Sequence, residues 1–135
     1  MSENCIFCKI IAGDIPSYKV MENDFAFAFL DISPANRGHT LVIPKKHAAD
    51  IFDVDDDSLV QVIKLTQKVV GHLVTSLGAK GASIFQLNRA EAGQTVFHLH
   101  FHVIPRWSVN EMRASWIETP GDKHELENVW KILTQ

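Results

Sequence analysis

Residues 98–104 read His98-Leu99-His100-Phe101-His102-Val103-Ile104, three histidines alternating with apolar side chains. Side chains of an extended strand point to opposite faces in turn, so the histidines share one face while Leu99, Phe101 and Val103 share the other. Burial of the apolar set against a helix would fix the imidazoles in a row, neighbours about 6.5–7 Å apart at roughly 3.3 Å rise per residue. His98 and His102 then lie about 13 Å apart at the backbone, which disfavours one ion bound by all three through bonds near 2 Å. The stretch predicts a strand whose histidines divide several tasks. Packing alone has no use for three titratable rings on one face, so that face is the candidate site.

The neighbouring segments supply the rest of a sheet. Asn88–Thr95 is a polar loop whose amides beside Gly93, with amide and hydroxyl side chains, form a candidate anion cradle just before the histidines. Ala82–Leu87 reads as a strand leading into it. Leu59, Val62, Ile63, Thr66, Val69, Val70, Leu73 and Val74 recur at three- and four-residue spacing, which predicts an amphipathic helix from Ser58 to near Gly78. Asp55, Asp56 and Asp57 suit its positive N-terminal end. Earlier, His39–Ile43 reads as a strand ending at Pro44, and Tyr18–Glu22 with Phe25–Asp31 as a hairpin turning at Asn23-Asp24. Lys9–Pro16 is a short helical turn stopped by Gly13. Beyond Pro105 no period is legible until Leu126, Val129, Trp130 and Leu133 predict a short terminal helix, so the tail is the one candidate for a detachable segment.

With 135 residues the chain is expected to form one domain, spanning 1–135. A net charge of -3 gives no broad cationic surface for a polynucleotide, so small anions held by local donors are the expected ligands. Apolar runs such as Phe25–Leu30 are far shorter than the roughly 18 residues needed to span a bilayer, and no signal core opens the chain. The expected location is therefore the cytoplasm, without membrane association. There, Cys5 and Cys8 point to metal binding or redox work rather than a structural disulfide. Two cysteines are half of a tetrahedral zinc set. Inert thiols and a redox pair are the other readings, the latter without a βαβ setting.

Histidine suits attack on phosphorus. A pKa near 6.5 leaves roughly three-quarters of rings neutral at pH 7, with a lone pair and no need of an activating base. The second ring nitrogen should then donate to a carbonyl or carboxylate that fixes the tautomer.

The stretch 98–104 resembles the signature of the histidine triad (HIT) superfamily. It is joined by Glu91–Val96 before it, Pro105-Arg106 after it, and Asp31–Pro34 with Gly38–His47 upstream, so the resemblance covers residues 5–106 and leaves 107–135 as a tail. It implies an α+β fold, a five-stranded antiparallel sheet with one long helix and a short C-terminal helix, and a homodimer in which two sheets run together. The strands and helices read above agree with it. It further implies a purine nucleotide substrate, cleaved at the α-phosphate through a nucleotidylated histidine, here His100.

By the same resemblance His102 sits beside the scissile phosphate and His39 supports the triad from a neighbouring strand. The base would lie in a slot of Phe7, Ile10, Phe29 and Ile32, with the ribose hydroxyls on Asp31. Asn88, Gln94 and Thr95 would contact phosphate oxygens; serine often stands where this chain has Thr95, and the hydroxyl donor is kept. Bacterial members of the superfamily suggest a structural zinc on Cys5, Cys8, His47 and His98. A phosphoramidase and a dinucleoside polyphosphate hydrolase are both compatible with these motifs, with Glu91–Thr95 and Pro105-Arg106 leaning slightly toward the second. A non-catalytic nucleotide-binding or scaffold dimer is the competing reading, while His72 and His124 read as ordinary helix or surface residues. Trp107, Trp116 and Trp130 could pack the dimer or the tail.

Overall fold

The first hairpin turns where Asn23 can close it. Asn23 Oδ1 accepts from the amides of Phe25 and Ala26, both at 2.8 Å, and its own amide donates to the Ala26 carbonyl. This local bonding is why asparagine favours turns over ladders. The turn joins β1 (Lys19–Glu22) to β2 (Ala26–Leu30). A computed structural model, describing residues 4–111 and 120–135, continues with β3 (Thr40–Pro44), β4 (Gly81–Gln86) and β5 (Phe101–Arg106). The five strands make one antiparallel sheet in the order β1-β2-β3-β5-β4. Three helices, α1 (Ile6–Ala12), α2 (Asp56–Leu77) and α3 (Lys123–Thr134), complete the expected α+β fold. Trp116 lies outside the described residues.

Both faces of the sheet are covered, so every position of β2 and β3 is buried. On one face Val62, Leu65, Val69 and Leu73 of α2 pack with Ala28, Val42, Leu99 and Val103. Asp55 caps that helix by accepting from the Ser58 amide, and Gly78 ends it at φ 70°, a left-handed conformation that glycine adopts without a Cβ penalty. α3 adds Val129 and Leu133 to the same core, so the tail is bound to the domain through this helix. On the opposite face Phe7 and Cys8 of α1 join Phe27, Phe29, Leu41 and Ile43.

The histidine segment departs from the expected strand in one respect. The hydrogen-bonded ladder begins only at Phe101, with Phe101 opposite Val42 and His102 opposite Leu41, so of the three histidines His102 alone lies within β5. Continued register would set Leu99 against Pro44, which has no N–H to donate, and the Leu99 amide instead donates to the Ala48 carbonyl at 2.7 Å. The alternation survives. Leu99, Phe101 and Val103 enter the α2 core, while the histidines lie on the α1 side. They are no surface row, however: His98, His100 and His102 are at most 7% exposed.

Candidate active site and metal centre

His100 and His102 lie side by side, ring centroids 4.8 Å apart. Phe7 of α1 stands edge-on to His100 at 5.3 Å and to His98 at 5.8 Å, which closes the site from above. The Nδ1 of His100 is 2.7 Å from the carbonyl oxygen of His98. A carbonyl only accepts, so Nδ1 carries the ring proton, and in the neutral ring the lone pair is at Nε2.

The tautomer of His102 follows by a similar argument. The Ala35 amide donates to Nδ1 of His39 at 2.9 Å, which leaves the proton of neutral His39 on Nε2. That nitrogen is 3.0 Å from Nδ1 of His102, so it donates there, and His102 in turn carries its proton on Nε2. Burial is the main reason both rings stay neutral at pH 7: it pushes His39 and His102 down to about 3, with nearby cationic charge adding to the effect. One ring thus offers a lone pair and its neighbour a proton.

Both rings line a cavity of about 540 Å³, a size ordinary for a small-molecule site. Thr95, Asp31, Phe7, Phe29 and Ile32 line it too. The Asp31 carboxyl accepts from the Ser33 amide at 2.8 Å and lies 3.5 Å from His39 Nε2; burial pushes its pKa up. Other expected residues are placed elsewhere. Ile10 packs against the α1-side core and is not in the cavity wall. The Gln94 amide is committed to backbone: Oε1 accepts from the Arg89 amide at 2.6 Å, and Nε2 donates to the carbonyls of Ala49 and Val96. Asn88 pairs with Gln86 and accepts from the Ile51 amide. Gln94 and Asn88 therefore shape the loop that presents Thr95 and stand outside the cavity wall. Leu41, Tyr18 and Trp130 line it without having been expected. Leu41 is betrayed only by its register opposite His102, and Trp130 by no local signal.

A second convergence joins the four residues of the expected metal set, Cys5, Cys8, His47 and His98, whose ligand atoms all lie within 4.8 Å of one another. The Nδ1 of His98 is 3.3 Å and 3.6 Å from the sulfurs of Cys5 and Cys8, the Nδ1 of His47 is 3.3 Å from the Cys8 sulfur, and the two nitrogens are 3.2 Å apart. A tetrahedral ion with bonds of about 2.0–2.3 Å holds its ligand atoms roughly 3.3–3.8 Å apart, so the set fits one. The chemistry fits as well. His98 Nε2 donates to the Pro44 carbonyl at 2.8 Å, which turns the lone pair of Nδ1 toward the sulfurs, and the Cys8 amide supports the Cys5 sulfur at 3.3 Å. Asp31, His39 and His102 also converge. There, however, the Ala35 amide holds the Nδ1 lone pair of His39, so its Nε2 bears a proton that is donated to His102, and the cluster is a His39–His102 hydrogen bond beside the Asp31 carboxyl rather than a ligand set.

The HIT domain model matches residues 12–109. The chain belongs to the HIT family. Among its relatives, the adenosine 5'-monophosphoramidase hnt1 of Schizosaccharomyces pombe is 44% identical over 127 residues, covering 92% of this chain and 91% of the yeast protein. A Hit-like protein of Bartonella henselae, described as involved in cell-cycle regulation, superimposes with a TM-score of 0.87 at 41% identity, covering 99% of this chain and 96% of that one. A zinc-bound histidine triad family protein of Mycobacterium smegmatis gives a TM-score of 0.81 at 33% identity, covering 96% and 93%. The fold expected from the HIT resemblance is therefore the fold found. No helix among the described residues is long and apolar enough to cross a membrane.

Proposed function

We propose that this HIT protein hydrolyses purine nucleotides substituted at the α-phosphate, nucleoside phosphoramidates foremost, by way of a nucleotidylated His100. The observation that carries this reading is the 2.7 Å bond from His100 Nδ1 to the His98 carbonyl, which leaves Nε2 with a lone pair in a cavity wall. Nε2 attacks the α-phosphorus and the bond to the leaving group breaks. As the ring gains positive charge, its Nδ1–H bond to the carbonyl strengthens and stabilises the intermediate. Water then attacks the phosphohistidine, releasing the mononucleotide and restoring the neutral ring.

His102 Nε2–H donates to a phosphate oxygen, and His39 holds that proton in place through the relay. Thr95 supplies a hydroxyl, and Gln94 and Asn88 act through the loop that carries it. Phe7, Phe29 and Ile32 flank the base, Ile10 backs Phe7 from within the core, and Asp31 accepts from the ribose hydroxyls. Cys5, Cys8, His47 and His98 hold a zinc ion whose contribution is structural, since four protein ligands leave no position for water. The ion would join α1, and with it Phe7, to the sheet. The yeast phosphoramidase supports the leaving-group class, and the zinc-bound mycobacterial structure supports the metal.

The working unit is a cytoplasmic homodimer. Trp130 of α3 bonds to β1 at one end of the strand order, whereas β4, paired with β5, stands at the other with Ile84 51% exposed, the place where the sheet would continue into a second copy.

The deciding experiment offers adenosine phosphoramidates and diadenosine polyphosphates to wild type and His100→Ala. Turnover by wild type, with a mass increase of one nucleotidyl group on quenching and neither in the variant, is the expected result. Equal AMP binding by both proteins without turnover of any substrate would instead leave a nucleotide-binding scaffold.

A further inference from the structure

The cavity has a wall that no part of the histidine motif supplies. A row of register partners crosses the sheet beneath it: His102 is opposite Leu41, Leu41 opposite Phe29, and Phe29 opposite Lys19. At the far end of that row the indole Nε1–H of Trp130 donates to the Lys19 carbonyl at 3.0 Å. Three inter-strand spacings of about 4.8 Å put this end roughly 14 Å from His102. The reacting phosphate belongs at the histidine end. What reaches the other end of such a substrate is its base.

Trp130 is firmly held there. Its ring meets Tyr18 edge-on at 5.5 Å, and Tyr18, which also lines the cavity, is fixed by its carbonyl accepting from the Leu30 amide. The neighbouring Val129 and Leu133 are buried in the core shared with α2, and His72 Nε2 bonds the Leu133 carbonyl at 2.6 Å. Among the described residues, Trp130 is the one side chain of α3 in the cavity wall. Its indole hydrogen is satisfied by backbone, so what it offers a ligand is aromatic surface, the part of a tryptophan that packs against another π-system.

We propose that Trp130 is a specificity-determining residue, whose indole forms with Tyr18 the end wall against which the purine base packs, so that each chain's C-terminal helix completes its own nucleotide cavity. The proposal rests on the reading of the cavity as a nucleotide site. The tail thereby acts in cis, and a ligand lacking the base gains nothing from it.

The test uses the full chain as wild type, Trp130→Phe, Trp130→Ala and Trp107→Phe, with AMP and ribose 5-phosphate as probes. AMP is expected to change the tryptophan fluorescence of wild type and Trp107→Phe but not of Trp130→Phe. Calorimetry should show Trp130→Ala binding AMP about tenfold or more weakly, while inhibition by ribose 5-phosphate stays at the wild-type level. In turnover the same variant should show a raised KM with kcat largely kept. An undiminished fluorescence response in Trp130→Phe, which keeps an aromatic wall and the fold, overturns the proposal, as does unchanged AMP affinity in Trp130→Ala. Failure of wild type to bind AMP at all sinks the nucleotide reading and this wall with it, an outcome distinct from binding that ignores Trp130.

Discussion

Two neighbouring imidazoles differ here in which nitrogen carries the proton, and backbone groups impose the difference. The His98 carbonyl accepts a hydrogen bond from Nδ1–H of His100 and so keeps the proton there, whereas the Ala35 amide, acting through His39, puts the proton of His102 on Nε2. His100→Asn should retain nucleotide binding and lose turnover by about 10⁴-fold or more, the scale of removing a nucleophile. Steady-state kinetics with calorimetry checks this, and a loss of binding alone would reassign His100 to recognition. His39→Gln should lower kcat by about 10²-fold, as expected when a catalytic proton donor loses its orientation. Little change in KM would accompany it, because His39 acts through His102 rather than on the substrate. The alternation of residues 98–104 disclosed which rings share a face. Which nitrogen each presents was illegible in the sequence, since Ala35 and the carbonyl of His98 reveal nothing about hydrogen bonding until the backbone is placed.

At the scale of elements, β3 and the loop before it aim His39, and α1 lies over the site with Cys5 and Cys8 at ligand distances from His47 and His98. Gly38, with φ 83°, precedes His39, and a Cβ there would meet Leu77 Cδ1 at 2.5 Å. Gly38→Ala is therefore both strained and overpacked, and should destabilise the fold by about 1–3 kcal/mol. Urea unfolding measures that cost, and activity should fall as His39 shifts. For the cluster, protein purified without chelator should contain one zinc per chain, and Cys5→Ala/Cys8→Ala should contain none. Equal zinc in both would defeat the assignment. Metal removal should release α1 and weaken nucleotide binding through Phe7 while leaving the α2-side core folded, a pattern separable by near-UV and far-UV circular dichroism. Most elements were readable from periodicity and turn chemistry, Asn23, Asp55 and Gly78 included. The strand of histidines was read too early because Pro44 breaks the ladder from the neighbouring strand, an effect that only pairing reveals.

Across the whole molecule, acid should unfold the protein sooner than its surface charge suggests. His39 and His102 are held near 3 by burial but titrate near 6.5 when unfolded, so between these values the unfolded chain binds more protons. Stability is then full above about pH 6.5 and falls progressively toward pH 3. Asp31, whose pKa is raised, works in the opposite direction around the carboxylate range. Urea midpoints at pH 7.5, 6 and 5 should drop steadily, with a shallower slope in His39→Gln; identical slopes would show that these rings do not control acid stability. At the β4 end of the sheet, Ile84→Lys should shift the hydrodynamic size from dimer toward monomer, while a wild type that is already monomeric would dismiss the dimer. Taken alone, the sequence determined the strand and helix pattern, the shared face of the three histidines and the cysteine half of a metal set, because these follow from local periodicity and from residue chemistry; His47 and His98 were implied as the other two ligands only by the resemblance to bacterial HIT members. Tertiary structure decided the rest: that Ile10, Asn88 and Gln94 stand back from the cavity, that Leu41 and Trp130 enter it, and that Cys5 and Cys8 meet His47 and His98 at ligand distances. Such meetings join residues up to 111 positions apart, and only the pairing of strands and the packing of helices sets distances over that range.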